Sequence, residues 1–286
     1  MRHLLLAAAA AAVSLAAAPA FAQDTGGTYV EDETGFNGIY IGAAGGYDIQ
    51  PNDRGSSLLF DRNLDGRFGD TVTTAAGANA FSPGFCKGAA RAATPLPGGC
   101  RNDKNGFAYY GRIGLDAQQG RFVVGAVGEF GKTEINDSTS GFSTTPANYV
   151  LYREIDWEAS IRGRVGYTPN DKTLFYGTFG PGYARIDRAF SSTNTANAFS
   201  LSGDRNTFGF LGGGGIEQKL GRNFSVGLEY MYHQYQDDET RVRVTRGNAA
   251  ANNPFVLTPN TAGTDIRRSD SKFRWSSIRA TAAFRF

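Results

Sequence analysis

Polar and apolar residues alternate with a period of two along most of the chain beyond residue 36. Over 36–50, Ile39, Ile41, Ala43, Tyr47 and Ile49 share one side, while Tyr40, Asp48, Gln50 and several glycines share the other. The same alternation recurs over 106–118, 121–135, 152–167, 173–187, 207–220 and 223–235. It recurs once more at the end, where Ile278, Ala280, Ala282, Phe284 and Phe286 are interleaved with Arg279, Thr281 and Arg285. Successive side chains of a strand point to opposite faces, so each stretch predicts a strand with one greasy and one wet face. The clearest is 152–167, with Ile155, Trp157, Ala159, Ile161, Val165 and Tyr167 on one side and Asp156, Glu158, Ser160, Arg162 and Arg164 on the other. Over 173–187 the facing stays open, because Phe175, Phe179 and Tyr183 compete with Leu174, Tyr176 and Ile186. Pro181 between two glycines predicts a bulge that changes phase there.

The connections alternate in length. They are short near 119, 170 and 221 and long at 51–105, 137–150, 188–206 and 236–271. Soluble sandwiches seldom show that asymmetry, whereas outer-membrane barrels combine short periplasmic turns with long external loops. Backbone groups in lipid must pair within the protein, and a sheet achieves this only by closing on itself. The expected fold is therefore all-β, a transmembrane antiparallel up-and-down β-barrel of eight strands with both ends of the barrel chain on the periplasmic side. Residues 241–246 and 254–258 leave a ten-stranded count open as an extra hairpin. Arg241, Arg243 and Thr245 at outer positions favour strands prolonged above the membrane instead.

Composition agrees with this reading. The chain has 38 glycines, 21 phenylalanines and 13 tyrosines, and its mean hydropathy of −0.34 suits strands in which every second residue is polar. At the start, Arg2 and His3 precede an uncharged run from Leu4 to Ala18, and Ala20-Phe21-Ala22 offers a cleavage site. Residues 1–22 thus read as a signal peptide, 23–35 as a flexible acidic segment and 36–286 as the barrel. With 29 basic against 27 acidic residues, no nucleic acid is expected as a partner.

The ending, a terminal Phe286 preceded by apolar residues at every second position, resembles the last strand of bacterial outer-membrane β-barrels. The phrase Phe36-Asn-Gly-Ile-Tyr-Ile-Gly-Ala-Ala-Gly-Gly-Tyr47 resembles the first strand of the small porin-like and OmpA-type barrels of Gram-negative bacteria. The resemblance implies outer-membrane localisation, a role in envelope integrity and surface display, the lipid of the outer membrane as surroundings, and recognition of Phe284 and Phe286 as an insertion signal by the barrel assembly machinery. No periplasmic wall-binding domain is expected, since the last strand ends the sequence.

Four groups of residues carry candidate chemistry. Arg112, Glu129, Asp156, Glu158, Arg162, Arg164, Glu217, Glu229 and Arg279 are expected to face inward. An eight-stranded barrel has room for side chains but not a broad channel, so these charges must pair and fill the lumen. A narrow porin-like channel for small solutes is the alternative. His233, the only histidine beyond the leader, raises a lipid-modifying enzyme as a third class, but no serine near it on its own face suggests a triad, and no enzyme is expected. Asp61, Asn63, Asp65, Arg67 (through its carbonyl) and Asp70 have the spacing of the first half of a calcium loop, yet Val72 stands where the bidentate Glu belongs. No other cofactor is expected. Cys86 and Cys100, in an exported chain, predict a disulfide. Arg267, Arg268, Lys272 and Arg274 gather at the outer mouth as candidates for surface lipid phosphates. Trp157, Tyr167, Tyr176, Tyr230, Tyr232, Trp275, Phe284 and Phe286 are the candidates for interfacial aromatic girdles.

Overall fold

The computed structural model describes residues 35–50, 56–258 and 261–286. The expected signal peptide at 1–22 and all but the last residue of the acidic stretch 23–35 lie outside the described residues. The strands in order are β1 (Gly38–Ile49), β2 (Leu58–Asp61), β3 (Gly84–Lys87), β4 (Gly106–Gln119), β5 (Phe122–Thr133), β6 (Asn136–Ser143) and β7 (Ala147–Asn170). They continue with β8 (Thr173–Ser192), β9 (Ala198–Ser202), β10 (Asn206–Lys219), β11 (Phe224–Gln236), β12 (Arg241–Thr245), β13 (Thr264–Arg268) and β14 (Lys272–Arg285).

Eight of these close into an antiparallel barrel in the order β7, β5, β4, β1, β14, β11, β10, β8, and β7 pairs with β8 to complete the ring. The first and last barrel strands are neighbours. Ile41 lies opposite Phe284 and Tyr47 opposite Ile278, so the alternating end of the chain zips onto its alternating beginning. The ring leaves no edge among its members.

Burial follows the predicted alternation. Outward residues are large and bare, as with Phe107 (66 %), Ile161 (70 %) and Phe208 (72 %), whereas Arg162, Glu229 and Arg279 on the inner face are fully buried. This is a core turned inside out, stable only where hydrocarbon covers the outside. On β8 the structure resolves the open facing: Phe175 and Phe179 point out, and Leu174, Tyr176 and Ile186 point in. Pro181 does not shift the phase, because the register against β7 is the same on both sides of it. The bulge sits on β7 instead, between Ile155 and Trp157. Asp156 is the extra residue there, so Ile155 turns inward and Asp156 leaves the lumen to meet Arg185 at 3.5 Å on the outside. Among the expected girdle residues, Tyr167 and Tyr230 do point outward, but Tyr176 and Trp275 are buried inside.

The long connections are not loose loops. β7 and β8 continue past the barrel rim, where β6 and β3 pair onto β7. A second sheet runs in the order β2, β13, β12, β9. These two sheets enclose one apolar core built from Leu58, Phe60, Tyr149, Leu151, Val242, Val244 and Ile266, with Phe81 and Phe255 contributed by connecting segments. Residues 241–246 and 254–258 form neither an extra barrel hairpin nor the favoured pair of prolonged strands. Residues 241–245 are a strand of this second sheet, and Pro254–Val256 is a single 3-10 turn. Cys86 and Cys100 are joined by a disulfide that ties β3 to the segment before β4.

Phe81 stands at the centre of the cap, with ring centroids 4.4 Å from Phe60, 5.2 Å from Tyr149 and 5.8 Å from Phe255. Deleting a buried phenylalanine costs about 3–5 kcal/mol. Phe81→Ala is therefore expected to make the cap sensitive to limited proteolysis while the barrel keeps its heat-modifiable migration in gels.

Candidate functional site

The inward file of β11 samples the lumen from end to end: Ser225, Glu229, Met231, His233 and Tyr235 are all buried, as is Asp237 just past the strand. Nearest the short turns, Arg164 donates to Asp116 at 3.0 Å and to Glu217, and Arg285 donates to Asp116 at 3.0 Å. Both guanidinium groups lie over the ring of Tyr40. Next come three arginines around two glutamates. Arg112 is 2.8 Å from Glu129 and 3.3 Å from Glu229, Arg162 is 2.6 and 3.4 Å from the same pair, and Arg279 is 3.3 Å from each. Glycines on the wall make room for this filling. A Cβ on Gly114 would fall 2.2 Å from the ring of Tyr40, so the tyrosine lies flat on the wall only because that position has no side chain.

Above this lies a polar cluster that surrounds His233. Its Nδ1 is 3.2 Å from Glu158, which also accepts from Tyr110 at 2.6 Å and Tyr235 at 2.8 Å. Its Nε2 is 3.3 Å from the Ser277 hydroxyl, and Ser277 donates to Asp48. The imidazole stacks on Trp275 at 4.7 Å. An acid, an imidazole and a hydroxyl thus stand in line from three strands, β7, β11 and β14. The single-strand view of the sequence misses Ser277 because it lies on the neighbouring strand. The cluster is closed: all four of Asp48, Glu158, His233 and Ser277 are buried, and the hydroxyl is committed to a second carboxylate.

Toward the rim an apolar layer crosses the lumen, formed by Ile135, Ile155, Ile186, Leu211, Phe273 and Trp275 among others. Beyond it is a second ionic cluster. Arg153 binds Asp137 at 2.6 Å, Asp237 at 3.1 Å and Asp270 at 3.3 Å, while Arg188 joins Asp237 at 2.8 Å and Arg268 joins Asp137 at 2.8 Å. The cap core covers this layer.

Eight of the nine charges expected in the lumen are therefore buried in it or in its polar cluster, and Asp156 is the exception for the reason given above. Asp48, Asp116, Arg285 and the rim cluster extend the network. The basic residues expected at the mouth are divided. Arg268 is buried against Asp137, Arg267 lies over the ring of Phe68 at 4.2 Å, and Lys272 is exposed. Phe284 and Phe286 are exposed on the outside at the short-turn end, with rings 5.3 Å apart.

In the Asp-rich segment the side-chain oxygens are engaged by the segment's own backbone amides. Asp61 accepts from the amides of Asp65 and Gly66, Asn63 from that of Asp65, Asp65 from that of Arg67, and Asp70 from that of Arg62. The side-chain oxygens shape the turn, and among the described residues no group of three or more His, Cys, Asp or Glu converges to hold a metal.

A ring of paired strands, bare and apolar outside and ionic inside, defines a transmembrane barrel, and this one resides in the outer membrane. Residues 8–253 match the model of the family described as outer membrane protein beta-barrel domain, and the chain belongs to that family. A 110-residue stretch is 27% identical to the 31 kDa outer-membrane immunogenic protein of Brucella melitensis, covering 38% of this chain and 45% of that protein. A 140-residue stretch is 27% identical to the 22 kDa outer membrane protein of Rhizobium leguminosarum bv. viciae, covering 48% and 58%. The chain thus spans about half the length of these curated relatives. Among solved structures, OprG of Pseudomonas aeruginosa aligns over 88% of this chain and 98% of its own at 12% identity, with a TM-score of 0.49.

Two outcomes follow. Arg279 is shared by both central glutamates, and its loss removes one of the three guanidinium groups around each and leaves an empty space in the packed lumen, which costs on the order of 2 kcal/mol. Arg279→Ala is expected to lower the urea midpoint of barrel unfolding, read from gel migration. In the cap, Asp103 accepts from the Ser138 amide and hydroxyl at 2.8 and 2.9 Å. Burial and the neighbouring Asp137 raise its pKa to about 6. Burial opposes ionisation of Asp137 as well, but Arg153 and Arg268 outweigh it and hold that group below the usual range. The stability linked to Asp103 is complete below its unfolded pKa of about 3.9 and is lost as pH rises through about 6. Between pH 7 and 5 Asp137 stays ionised, so acidification should slow proteolysis of the cap, and Asp103→Asn should remove that dependence.

Proposed function

We propose that this protein is a sealed barrel whose task is to hold a folded cap at the cell surface, a structural and display element of the envelope rather than a pore or an enzyme. The observation that carries this reading is the apolar layer between two ionic clusters. A conducting path needs continuous water, and a hydrophobic constriction packed with Trp275, Phe273 and three isoleucines excludes it. Among the described residues, the arginines and glutamates of the lumen below that layer are paired with one another. The relative in Brucella melitensis is named as an immunogenic protein, which accords with surface exposure of a barrel of this kind.

The narrow-channel reading would require the apolar layer to part. The enzyme reading has one point in its favour, the line of Glu158, His233 and Ser277. Against it stand the burial of all three and the second acceptor on the serine, since a nucleophile must reach its substrate. In planar bilayers the refolded protein is expected to give no steady conductance. Regular openings in the nanosiemens range from the unmodified protein would overturn the sealed reading.

A further inference from the structure

A groove of about 700 Å³ lies on the outside of the barrel wall, where β4, β5, β7, β8 and β10 run side by side. Its volume falls within the range of small-molecule sites. Its sides are Ile113, Phe130, Ile161, Tyr183 and Phe208. Its floor is made of small residues: Phe130 and Tyr183 both lie opposite Ala159, and Gly128 lies opposite Ile161. Two large rings therefore flank a dip one strand wide.

The end of the groove nearer the cap is chemically different. The next outward place on β7 is Trp157, whose ring lies 5.9 Å from Phe130 and 5.8 Å from Tyr183 and closes the slot. Beside it are two cations. Lys132 is the next outward residue on β5 and has no ion-pair partner among the described residues. Arg185 lies opposite Trp157 on β8, is 43 % exposed along its side chain and is 3.5 Å from Asp156. Lys132, Arg185 and Asp156 together leave one positive charge. Glu134 and Glu154 come one outward place further and are exposed.

We infer that this groove binds a phosphorylated lipid of the outer leaflet, with one acyl chain in the slot and the phosphate against Lys132 and Arg185. The slot lies in the band that faces hydrocarbon, so its occupant must be apolar along its length. The cations flank Trp157 at the cap end of the slot, where the headgroup of an outer-leaflet lipid seated in it would lie. Charge-assisted bonds from Lys and Arg to phosphate are among the stronger ones a surface can make. Asp156 matters here through the β7 bulge, which turns it outward to 3.5 Å from the Arg185 guanidinium.

The test uses the full mature protein refolded in detergent, titrated with diphosphoryl lipid A or its dephosphorylated form and read by native mass spectrometry. One retained lipid A per chain is expected, with weaker retention of the dephosphorylated lipid. Gly128→Leu fills the slot, and a Cβ there meets nothing closer than 3.7 Å, so the variant should fold. It should lower retention by blocking the acyl chain, and the double variant Lys132→Ala/Arg185→Ala should lower it at least about tenfold, the scale of a single lost charged hydrogen bond. Heat-modifiable migration confirms that each variant is folded. No lipid retained by the wild type, equal retention by the variants, equal binding of the two lipids, or a dimer that covers this face would each overturn the assignment.

Discussion

The constraint on which the whole molecule depends is that no backbone amide or carbonyl can remain unpaired in hydrocarbon. It forces closure, and closure fixes what each residue can do. Once β7 meets β8 and β14 meets β1, every second side chain is committed to a narrow interior that is nearly dry. There, a lone arginine or glutamate is costly, while a cluster in which each carboxylate faces several guanidinium groups is tolerated. The sharing of Glu129 and Glu229 among Arg112, Arg162 and Arg279 is a consequence of that geometry, as is the use of glycine where an aromatic ring must lie against the wall.

The barrel is legible in the sequence because its two environments differ so sharply that a period of two survives in the residue types. Ile161 and Val165 outside, Arg162 and Arg164 inside, need no neighbours to be assigned. What is not legible depends on pairing. Ile155 looks like a lipid-facing residue until the bulge at Asp156 is known, and Trp275 looks like a girdle residue until its strand is seen to place it in the lumen. Ser277 reaches His233 only through the register of β14 on β11. No single segment contains that information.

The cap is the larger omission, and its physical reason is plain. β6 reads Asn-Asp-Ser-Thr-Ser-Gly-Phe-Ser and is buried at every position after Asn136, so it lacks both alternation and hydrophobicity. Its hydroxyls are satisfied locally, as when Ser140 donates to the Gly88 carbonyl at 2.7 Å and Ser56 meets Thr139 at 2.6 Å. Buried hydroxyls with partners cost little, but in sequence they look like a solvated loop. The apolar core is likewise assembled from short pieces widely separated along the chain, none of which is periodic alone.

β7 is 24 residues long and β8 is 20, and both run without interruption from the short turn between them, through the membrane, into the cap. A pull on the outermost tip is therefore borne in line by covalent backbone and by the rungs between the two strands, whose register steps by one at the Asp156 bulge. Cap and barrel are joined as a mast is stepped through a deck, and torque applied to the cap reaches the short-turn rim.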